Sequence, residues 1–347
     1  MRYHNMAATF YTTIGVLFLP PLLASVSLAQ TNTPRPALVI LSKGANELEI
    51  INPVTLKVIG SVPTGPVPHE VAVSADGKTA LVTNYGAKQD GTTLTVIDLD
   101  TQKAIHTVSL LKVTGPHGED FGDLIGPHGV AFFDGKFYFT AEGSKKIGRY
   151  DPATNRIDWI QDIGQNRTHM LVISKQTRAI YTSNVNSDSV TAVEPSRDGG
   201  HWTKTDIPVG KGPEGIDIAP NGKEVWAANS GDGTVSIIDT AAKKVIETIP
   251  IDAKRSNRVK FTPNGKLVLI SDMGTGNVIV VDTGSRKVVK RVKLGNSAEG
   301  ILIPPDGSRA FVAVSGDNKV DIIDLKDLSV TGLIQPIKDP DGMAWRN

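Results

Sequence analysis

The chain has 347 residues, with 37 basic and 36 acidic side chains and no cysteine. The absence of cysteine excludes disulfide bonds, thiolate metal ligands and a cysteine nucleophile. The net charge of +1 argues against nucleic acid as a partner, because binding to nucleic acid depends on a positive field along the phosphate backbone.

The first 29 residues have the pattern of a signal peptide. Arg2 provides a positive start, an apolar run follows, and small residues precede the position where cleavage would leave Gln30 as the mature N-terminus. We therefore predict export to the periplasm or the medium. A short linker is expected over residues 30–36, before a single domain at residues 37–347.

A unit of about 42 residues then repeats along the chain, which is the mark of a repeat architecture. One clear copy is VGKGPEGIDIAPNGKEVWAANSGDGTVSIIDTAAKKVIETIPI, and similar copies follow it and precede it. Each copy holds four apolar or alternating runs separated by turn signals. In an early copy we predict strands at residues 70–74, 79–84, 93–99 and 104–110. Four strands per unit of this length are typical of a β-propeller blade.

The turns between strands are also repeated. Asp-Gly or Asn-Gly pairs follow the opening strand of several copies, and Gly supplies the positive φ that such turns require. These pairs are Asp76-Gly77, Asn221-Gly222, Asn264-Gly265 and Asp306-Gly307. Asp98, Asp239, Asp282 and Asp324 end the third strands, where their side chains are expected to cap the next turn.

The number of blades follows from one register position, which we call the anchor position. It lies two residues before the first apolar residue of each opening strand, and it is occupied by His69, His128, His169, Glu214, Asn257, Glu299 and Asp341. Seven opening strands result, but too few residues follow the last one to form its partner strands. Residues 37–62, in contrast, supply three strands that lack an opening strand. We predict an all-β, seven-bladed β-propeller of four-stranded antiparallel blades. Its ring is closed by N- and C-terminal strands that share one blade. Because a closed ring needs no partner to bury its strands, we expect a monomer.

Repeat symmetry places the seven polar anchor residues at one mouth of the central channel, which makes all of them candidate ligand-binding residues. His69, His128, His169 and Glu214 are candidate ligands of a divalent metal, because imidazole and carboxylate suit zinc, copper, iron or nickel. Solvated polar side chains without a ligand, or a polar small-molecule site, are the other interpretations.

Two further candidates are predicted to lie near the same mouth. An insertion of about 17 residues before the third blade, VTGPHGEDFGDLIGPHGV, carries His117 on a long loop of the kind that often covers a site. Glu142 lies at the loop between second and third strands, near the position where other copies have Asn84, Asn184 and Asn229. We expect these asparagines to form turns. A basic cluster at Lys254, Arg255 and Arg258 is expected to lie in solvated turns and strand edges.

The segments LVTNYG…LTVIDLDTQK, WAANSGDGTVSIIDTAAKKV and LISDMGTGNVIVVDTGSRKV resemble the YVTN β-propeller repeats, including those of YncE-like periplasmic proteins. GPHGVAF resembles a blade motif of streptogramin lyases, which implies a His and metal-bound carboxylates. NRTHMLVISKQTRAIYTSNVNSDSVTAVE resembles a blade of the seven-bladed propeller lactonases, in which Arg directly precedes the His and Glu follows the Asn. Here Thr168 separates Arg167 from His169, and Val185 follows Asn184. This departure predicts that the carboxylate of the lactonase site is missing.

Three classes of function therefore stay open. The first is an exported binding or scaffold protein that recognises a small molecule or a protein at the channel mouth. The second is an enzyme, a metal-assisted lyase or lactone hydrolase, in which His128, His169 and Glu214 are the candidate catalytic residues. The third is nucleic-acid binding, which is implied only by the YncE-like resemblance and is opposed by the neutral charge.

Overall fold

The computed structural model describes residues 1–3, 33–196 and 201–347. The predicted signal peptide and its cleavage site lie, beyond the first three residues, outside the described residues. The described residues from 33 onwards form one compact unit. No helix in the described part of the chain has the length and apolar character that crossing a membrane requires.

The described residues contain 30 β-strands and two single-turn 3₁₀ helices, Val185–Ser187 and Ser315–Asp317. In chain order the strands are β1 (Ala37–Ser42), β2 (Glu47–Ile51), β3 (Val58–Pro63), β4 (Pro68–Val73), β5 (Thr79–Asn84), β6 (Thr93–Asp98), β7 (Lys103–Ser109), β8 (Val113–Thr114), β9 (Asp120–Gly122), β10 (Pro127–Phe133), β11 (Lys136–Ala141), β12 (Lys146–Asp151), β13 (Arg156–Asp162), β14 (Thr168–Ile173), β15 (Ile180–Asn184), β16 (Ser189–Pro195), β17 (Trp202–Pro208), β18 (Pro213–Ile218), β19 (Glu224–Asn229), β20 (Thr234–Asp239), β21 (Lys244–Pro250), β22 (Ser256–Phe261), β23 (Leu267–Asp272), β24 (Asn277–Asp282), β25 (Lys287–Lys293), β26 (Ala298–Leu302), β27 (Arg309–Val314), β28 (Lys319–Asp324), β29 (Ser329–Ile334) and β30 (Pro340–Arg346).

Seven four-stranded antiparallel sheets form the blades of a propeller, as the repeat predicts. Blades 1 to 6 are β4–β7, β10–β13, β14–β17, β18–β21, β22–β25 and β26–β29, each in sequential order. The opening strands of neighbouring blades contact one another around the ring, so they surround the central channel. The second and third strands are buried runs such as LVLISD in β23 and NVIVVD in β24, which pack between blades and supply the core.

Blade 7 closes the ring. Its order is β3-β2-β1-β30, so the last strand of the chain opens the blade that the first three complete. Arg346 at the end of β30 is fully buried, donates to the Leu99 carbonyl at 2.8 Å and pairs with Asp100. Thr33 also donates to the Leu99 carbonyl, at 2.5 Å. The described end of the predicted linker is therefore packed against blade 1 rather than free.

The turns form as the repeated residue pairs predict. The Gly of each predicted pair has a positive φ, between 64° and 72°. Asp98 accepts from the amides of Asp100 and Thr101 at 2.8 and 2.9 Å, and the equivalent Asp side chains of later blades bind the same turn. Asn84 is buried and bridges its loop, since Oδ1 accepts from Gly65 and Nδ2 donates to two threonines. Asp and Asn are thus turn residues here.

The insertion before the third opening strand forms the hairpin β8–β9 and does not reach the channel. Phe121 on this hairpin packs into the core cluster that contains Leu110 and Leu124. The Gly115 carbonyl accepts from Arg156 on the outer strand β13, at 3.2 Å. Apolar burial therefore holds the insertion against the outer part of a blade.

Candidate active site at the channel mouth

The seven anchor residues meet at one end of the channel, which we call the upper mouth. Six of them are buried and His69 is half-buried. The rings of His69 and His128 are 5.1 Å apart between centroids, and those of His128 and His169 are 3.9 Å apart. The structure thus brings three imidazoles from three consecutive blades into direct contact.

His169 is paired with a carboxylate that comes from the blade before it. Its Nδ1 forms a hydrogen bond with Glu142 Oε1, and both side chains are buried. The second carboxylate oxygen of Glu142 accepts from the Tyr85 hydroxyl and lies 3.6 Å from Arg167 Nε. His169 thus has a carboxylate beside it although Val185 follows Asn184, and this carboxylate is Glu142, directly after β11.

One ring nitrogen of His128 and one of His169 have no hydrogen-bond partner among the described residues. His169 Nε2 and His128 Nδ1 are buried without a hydrogen bond, and so is Arg167 Nε. His169 Nε2 lies 3.8 Å from Glu214 Oε1. Because an unpaired buried polar atom costs free energy, these nitrogens indicate a place where a water, an ion or a substrate group is bound.

Burial sets the protonation of this cluster. It holds the pKa of His128 well below its usual value, helped by the neighbouring His169 and His69, and it also lowers the pKa of His69. Burial alone would raise the pKa of Glu142, but His169, Tyr85 and Arg167 outweigh it, and that pKa is lowered. At neutral pH the cluster therefore combines a neutral His128 with an ionised Glu142.

The opposite side of the upper mouth is a network of ion pairs. Lys43 Nζ lies 2.7 Å from Glu299 and 3.3 Å from Asp341. Glu299 also accepts from Ser297 at 2.9 Å and from Ser315. Burial alone would lower the pKa of Lys43, but Asp341 and Glu299 outweigh it, and the pKa is raised. The ammonium is therefore a fixed charge.

A second pair crosses the channel just below the anchor residues. Arg258 and Glu70 are both buried and form an ion pair, although 188 positions separate them in the chain. Arg258 Nη1 also donates to Asn257 at 3.1 Å, and Asn257 in turn donates to Glu214 at 3.0 Å. The predicted solvated basic cluster at residues 254–258 is thus wrong for Arg258, which lies inside the channel.

Sequence analysis missed this pair, although the register contains its signal. The position after the anchor is Gly in four blades, at Gly129, Gly215, Gly300 and Gly342. A Cβ atom on Gly300 would lie 2.1 Å from the Asp341 carbonyl oxygen of the next blade. The three blades that lack this Gly carry Glu70, Met170 and Arg258 instead. Most blades have Gly at this position, so the large side chains that replace it in the other three blades indicate positions that project into the channel.

A second register was found only in part, because sequence analysis named Glu142 but not Lys43 or Tyr85. The residue directly after the second strand is Lys43 in blade 7, Tyr85 in blade 1 and Glu142 in blade 2. All three point to the upper mouth, as their contacts with Glu299, Glu142 and His169 show. Glu142 is therefore equivalent to Tyr85 and lies one position beyond the turn-forming asparagines.

Two predicted site assignments need correction. His117 is exposed and its backbone amide is bound by Glu119, on the hairpin that packs on the outer strands. It does not join the upper mouth. The predicted metal ligands His69, His128, His169 and Glu214 also change, because the compact set is His128, Glu142 and His169, whose candidate ligand atoms lie within 4.8 Å of one another.

A pocket of about 290 Å³ opens beside this cluster. Glu142 and Arg167 form its inner wall, and Lys145 adds a second positive charge. Gln89, Asn166 and Asn186 supply amide groups. The pocket therefore combines hydrogen-bonding groups and two cations next to a buried His–Glu pair, a combination that suits a polar, electron-rich ligand.

The fold and this arrangement define a seven-bladed β-propeller with a histidine–carboxylate site at one mouth of its channel. Residues 137–335 match the family model described as lactonase, 7-bladed β-propeller. This match covers more than half of the chain, and the protein belongs to that family. No curated protein matches the chain in sequence.

Solved structures with the same fold share little sequence with this chain. A protein of unknown function from Desulfotomaculum acetoxidans is 14% identical with a TM-score of 0.73, covering 89% of this chain and 98% of its own. A proposed 6-phosphogluconolactonase from Bacteroides fragilis is 16% identical with a TM-score of 0.72, covering 91% and 99%. Hydrazine synthase from Kuenenia stuttgartiensis is 19% identical with a TM-score of 0.66, covering 80% and 89%. At such identities the likeness concerns the fold alone.

Proposed function

We propose that this propeller hydrolyses a lactone, a cyclic ester, at the upper mouth. The observation that carries the proposal is the buried pair of His169 with Glu142, in which the carboxylate binds one imidazole nitrogen and the other nitrogen has no hydrogen bond within the described residues. Membership of the lactonase family and the cationic pocket beside Glu142 support it.

The chemistry assigns a role to each group. Glu142 accepts a hydrogen bond from His169 Nδ1–H, so Nε2 carries the free lone pair. Nε2 takes a proton from a water as the water oxygen bonds to the lactone carbonyl carbon. The ring C–O bond then breaks, the ring oxygen takes the proton back, and a hydroxy acid is released. Arg167 and Lys145 would attract the carbonyl oxygen as it becomes negative.

The test measures acid release from 6-phosphoglucono-δ-lactone and glucono-δ-lactone, after subtraction of spontaneous hydrolysis. We expect H169N to lower the rate by at least about 100-fold, the usual size of a general-base contribution, and E142Q to lower it as well. H106N is the matched control, because His106 is exposed on the outer strand β7 and should leave the rate unchanged. Equal rates for wild type and H169N would refute the assignment.

The same cluster also leads us to propose a divalent-metal site at His128, Glu142 and His169. Two ligands of a tetrahedral zinc ion with bonds of ~2.1 Å lie about 3.4 Å apart, so the candidate atoms, which lie within 4.8 Å of one another, would move inward on binding. A metal there would polarise the lactone carbonyl. Metal analysis of wild type and H128N tests it, since H128N should lose the metal while keeping the His169–Glu142 pair.

The assays separate the two mechanisms and the third possibility, a binding propeller. Hydrolysis that survives a chelator and H128N supports His169 as the base, whereas hydrolysis lost on chelation and restored by one metal supports the metal. Saturable binding of the hydroxy acid by calorimetry, without turnover of either lactone, would replace the hydrolase with the binding protein that the sequence first indicated. The YncE-like resemblance, with its implied nucleic-acid binding, stays a prediction that a salt titration of binding would test.

We also propose that the protein acts as an exported monomer. The signal-peptide pattern at residues 1–29 supports export, and the pairing of the first and last strands within one blade supports a monomer, because the ring closes without a second chain. N-terminal sequencing of the exported protein should begin at Gln30, and light scattering should give the mass of one chain. Retention of residues 1–29 would contradict cleavage.

A further inference from the structure

The channel contains a second cavity, which lies on the far side of the Glu70–Arg258 pair from the histidines. We call it the lower cavity. It has a volume of about 620 Å³ and is lined by the later residues of the opening strands and the loops that follow them. Glu70 and Arg258 lie at its inner end, so the ion pair separates it from the upper mouth. Its size falls in the range of small-molecule sites, about 300 to 1,000 Å³.

Most of the residues that line the lower cavity are apolar, although polar atoms make up about half of its exposed surface. Met170, Ile216, Ile301 and Met343, from four different blades, form part of it, and Ile216 and Ile301 also pack into the cores between blades. Met170 and Met343 are only half-buried, although they lie on the innermost strands of the ring. Apolar side chains left partly uncovered inside a channel favour a ligand with an apolar body, because its burial removes their surface from water.

The rim of the lower cavity is positively charged. Lys175 and Lys260 line it and Asp217 is its acidic neighbour. Asp217 is already engaged, since Oδ2 accepts from the Phe261 amide at 2.9 Å and Oδ1 lies 3.9 Å from Lys260 Nζ. Lys175 is exposed. Lys175 and Lys260 against Asp217 leave one uncompensated positive charge at the rim, which is complementary to an anion.

We propose that the lower cavity binds an aliphatic carboxylate of medium length. The hydrocarbon chain lies along Met170, Ile216, Ile301 and Met343, and the carboxylate meets Lys175 and Lys260 at the rim. This site is separate from the proposed lactone site, because the Glu70–Arg258 pair lies between them, and it does not depend on hydrolysis at the upper mouth.

Calorimetric titration of the full chain with decanoate tests the proposal. Wild type should bind one decanoate per chain, and K175A/K260A should bind it about tenfold more weakly, which corresponds to two ion pairs at a partly exposed rim. Decanol, which has the same chain without the charge, should bind both proteins equally. K78A/K266A is the matched control, because these exposed lysines lie on loops of the same face outside the cavity, and it should bind decanoate as wild type does.

A second variant tests the hydrocarbon part. Ile303→Trp places a large side chain in the cavity wall and should abolish binding of both decanoate and decanol. Lactone hydrolysis by K175A/K260A should equal that of wild type. The proposal is overturned if wild type binds no decanoate, if K175A/K260A binds it as tightly as wild type, or if correctly folded I303W still binds decanol.

Discussion

Replacement of Arg258 by Met tests whether the cross-channel ion pair holds the ring together. Arg258 is 4% exposed, pairs with Glu70, lies 3.4 Å from Asp341 and donates to Asn257. Its removal leaves the buried Glu70 without its cation, whereas Asp341 keeps Lys43 at 3.3 Å. Breaking a buried pair from one side typically costs about 3–5 kcal/mol, and we expect R258M to lose a free energy of unfolding of that size.

A double-mutant cycle completes the test, and its second single variant replaces Glu70. Burial raises the pKa of this carboxyl even though Arg258 opposes the shift. The ionised form of Glu70 therefore destabilises the fold once Arg258 is removed. E70Q alone should cost about 1.5–3 kcal/mol, the scale of one hydrogen bond to a charged group, because Asp341 still lies 3.4 Å from Arg258. The double variant E70Q/R258M removes the uncompensated charge. It should therefore be at least about 1.5 kcal/mol more stable than the sum of the single losses predicts.

Urea unfolding followed by tryptophan fluorescence and circular dichroism measures these differences, provided that the two transitions coincide. R286M is the matched control, because Arg286 pairs with Glu224 and Glu247 on the outer surface. Such surface pairs contribute at most about 1 kcal/mol. Additive losses within about 0.5 kcal/mol, or an R258M variant as stable as R286M, would refute the reasoning.

Two further predictions concern the same ring. His128 stays neutral in the fold because burial lowers its pKa, while in the unfolded chain it gains a proton below pH ~6.5. Its contribution to stability is complete above that pH and is lost as the pH falls towards the lowered value. Between pH 7 and 5.5 wild type should lose about 1.3 kcal/mol more than H128N in chelator-containing buffer, and equal losses would contradict a neutral His128. Gly300→Ala would place Cβ 2.1 Å from the Asp341 carbonyl and should cost about 1–3 kcal/mol by overpacking. Gly284→Ala, with its nearest atom 3.6 Å away, should unfold at the same urea concentration as wild type; an equal loss in both variants would show that close packing is not the cause.

Most of the fold could be predicted because each blade repeats the same local rules. Alternating and apolar runs mark the strands, and Asp76-Gly77 and its equivalents mark the hairpins whose positive φ the structure contains. Counting the anchor position gave seven opening strands for six complete units, which required closure between the two ends. The pairing of β1 with β30 confirms it. The insertion was placed less well, because the packing of Phe121 into a blade core cannot be read from loop length.

The candidate site was predictable only in part. The anchor position identified His128, His169 and Glu214, because repeat symmetry fixes which residues begin the innermost strands. The same symmetry, applied to the neighbouring registers, would also have found Arg258 and Glu70. It could not have shown which of these side chains pair, since pairs form between blades and across the channel.

The sequence by itself therefore determined the blade repeat, the blade count, the turns and the polar character of one mouth, all of which depend on local patterns and their period. Only the tertiary structure decided that Glu142 of one blade holds His169 of the next, and that Arg258 meets Glu70 after 188 positions. The physical reason is that a repeat gives each side chain its place along a strand. Its partner depends on the rotation between blades and on the width of the channel, and both are set by the packing of the whole ring.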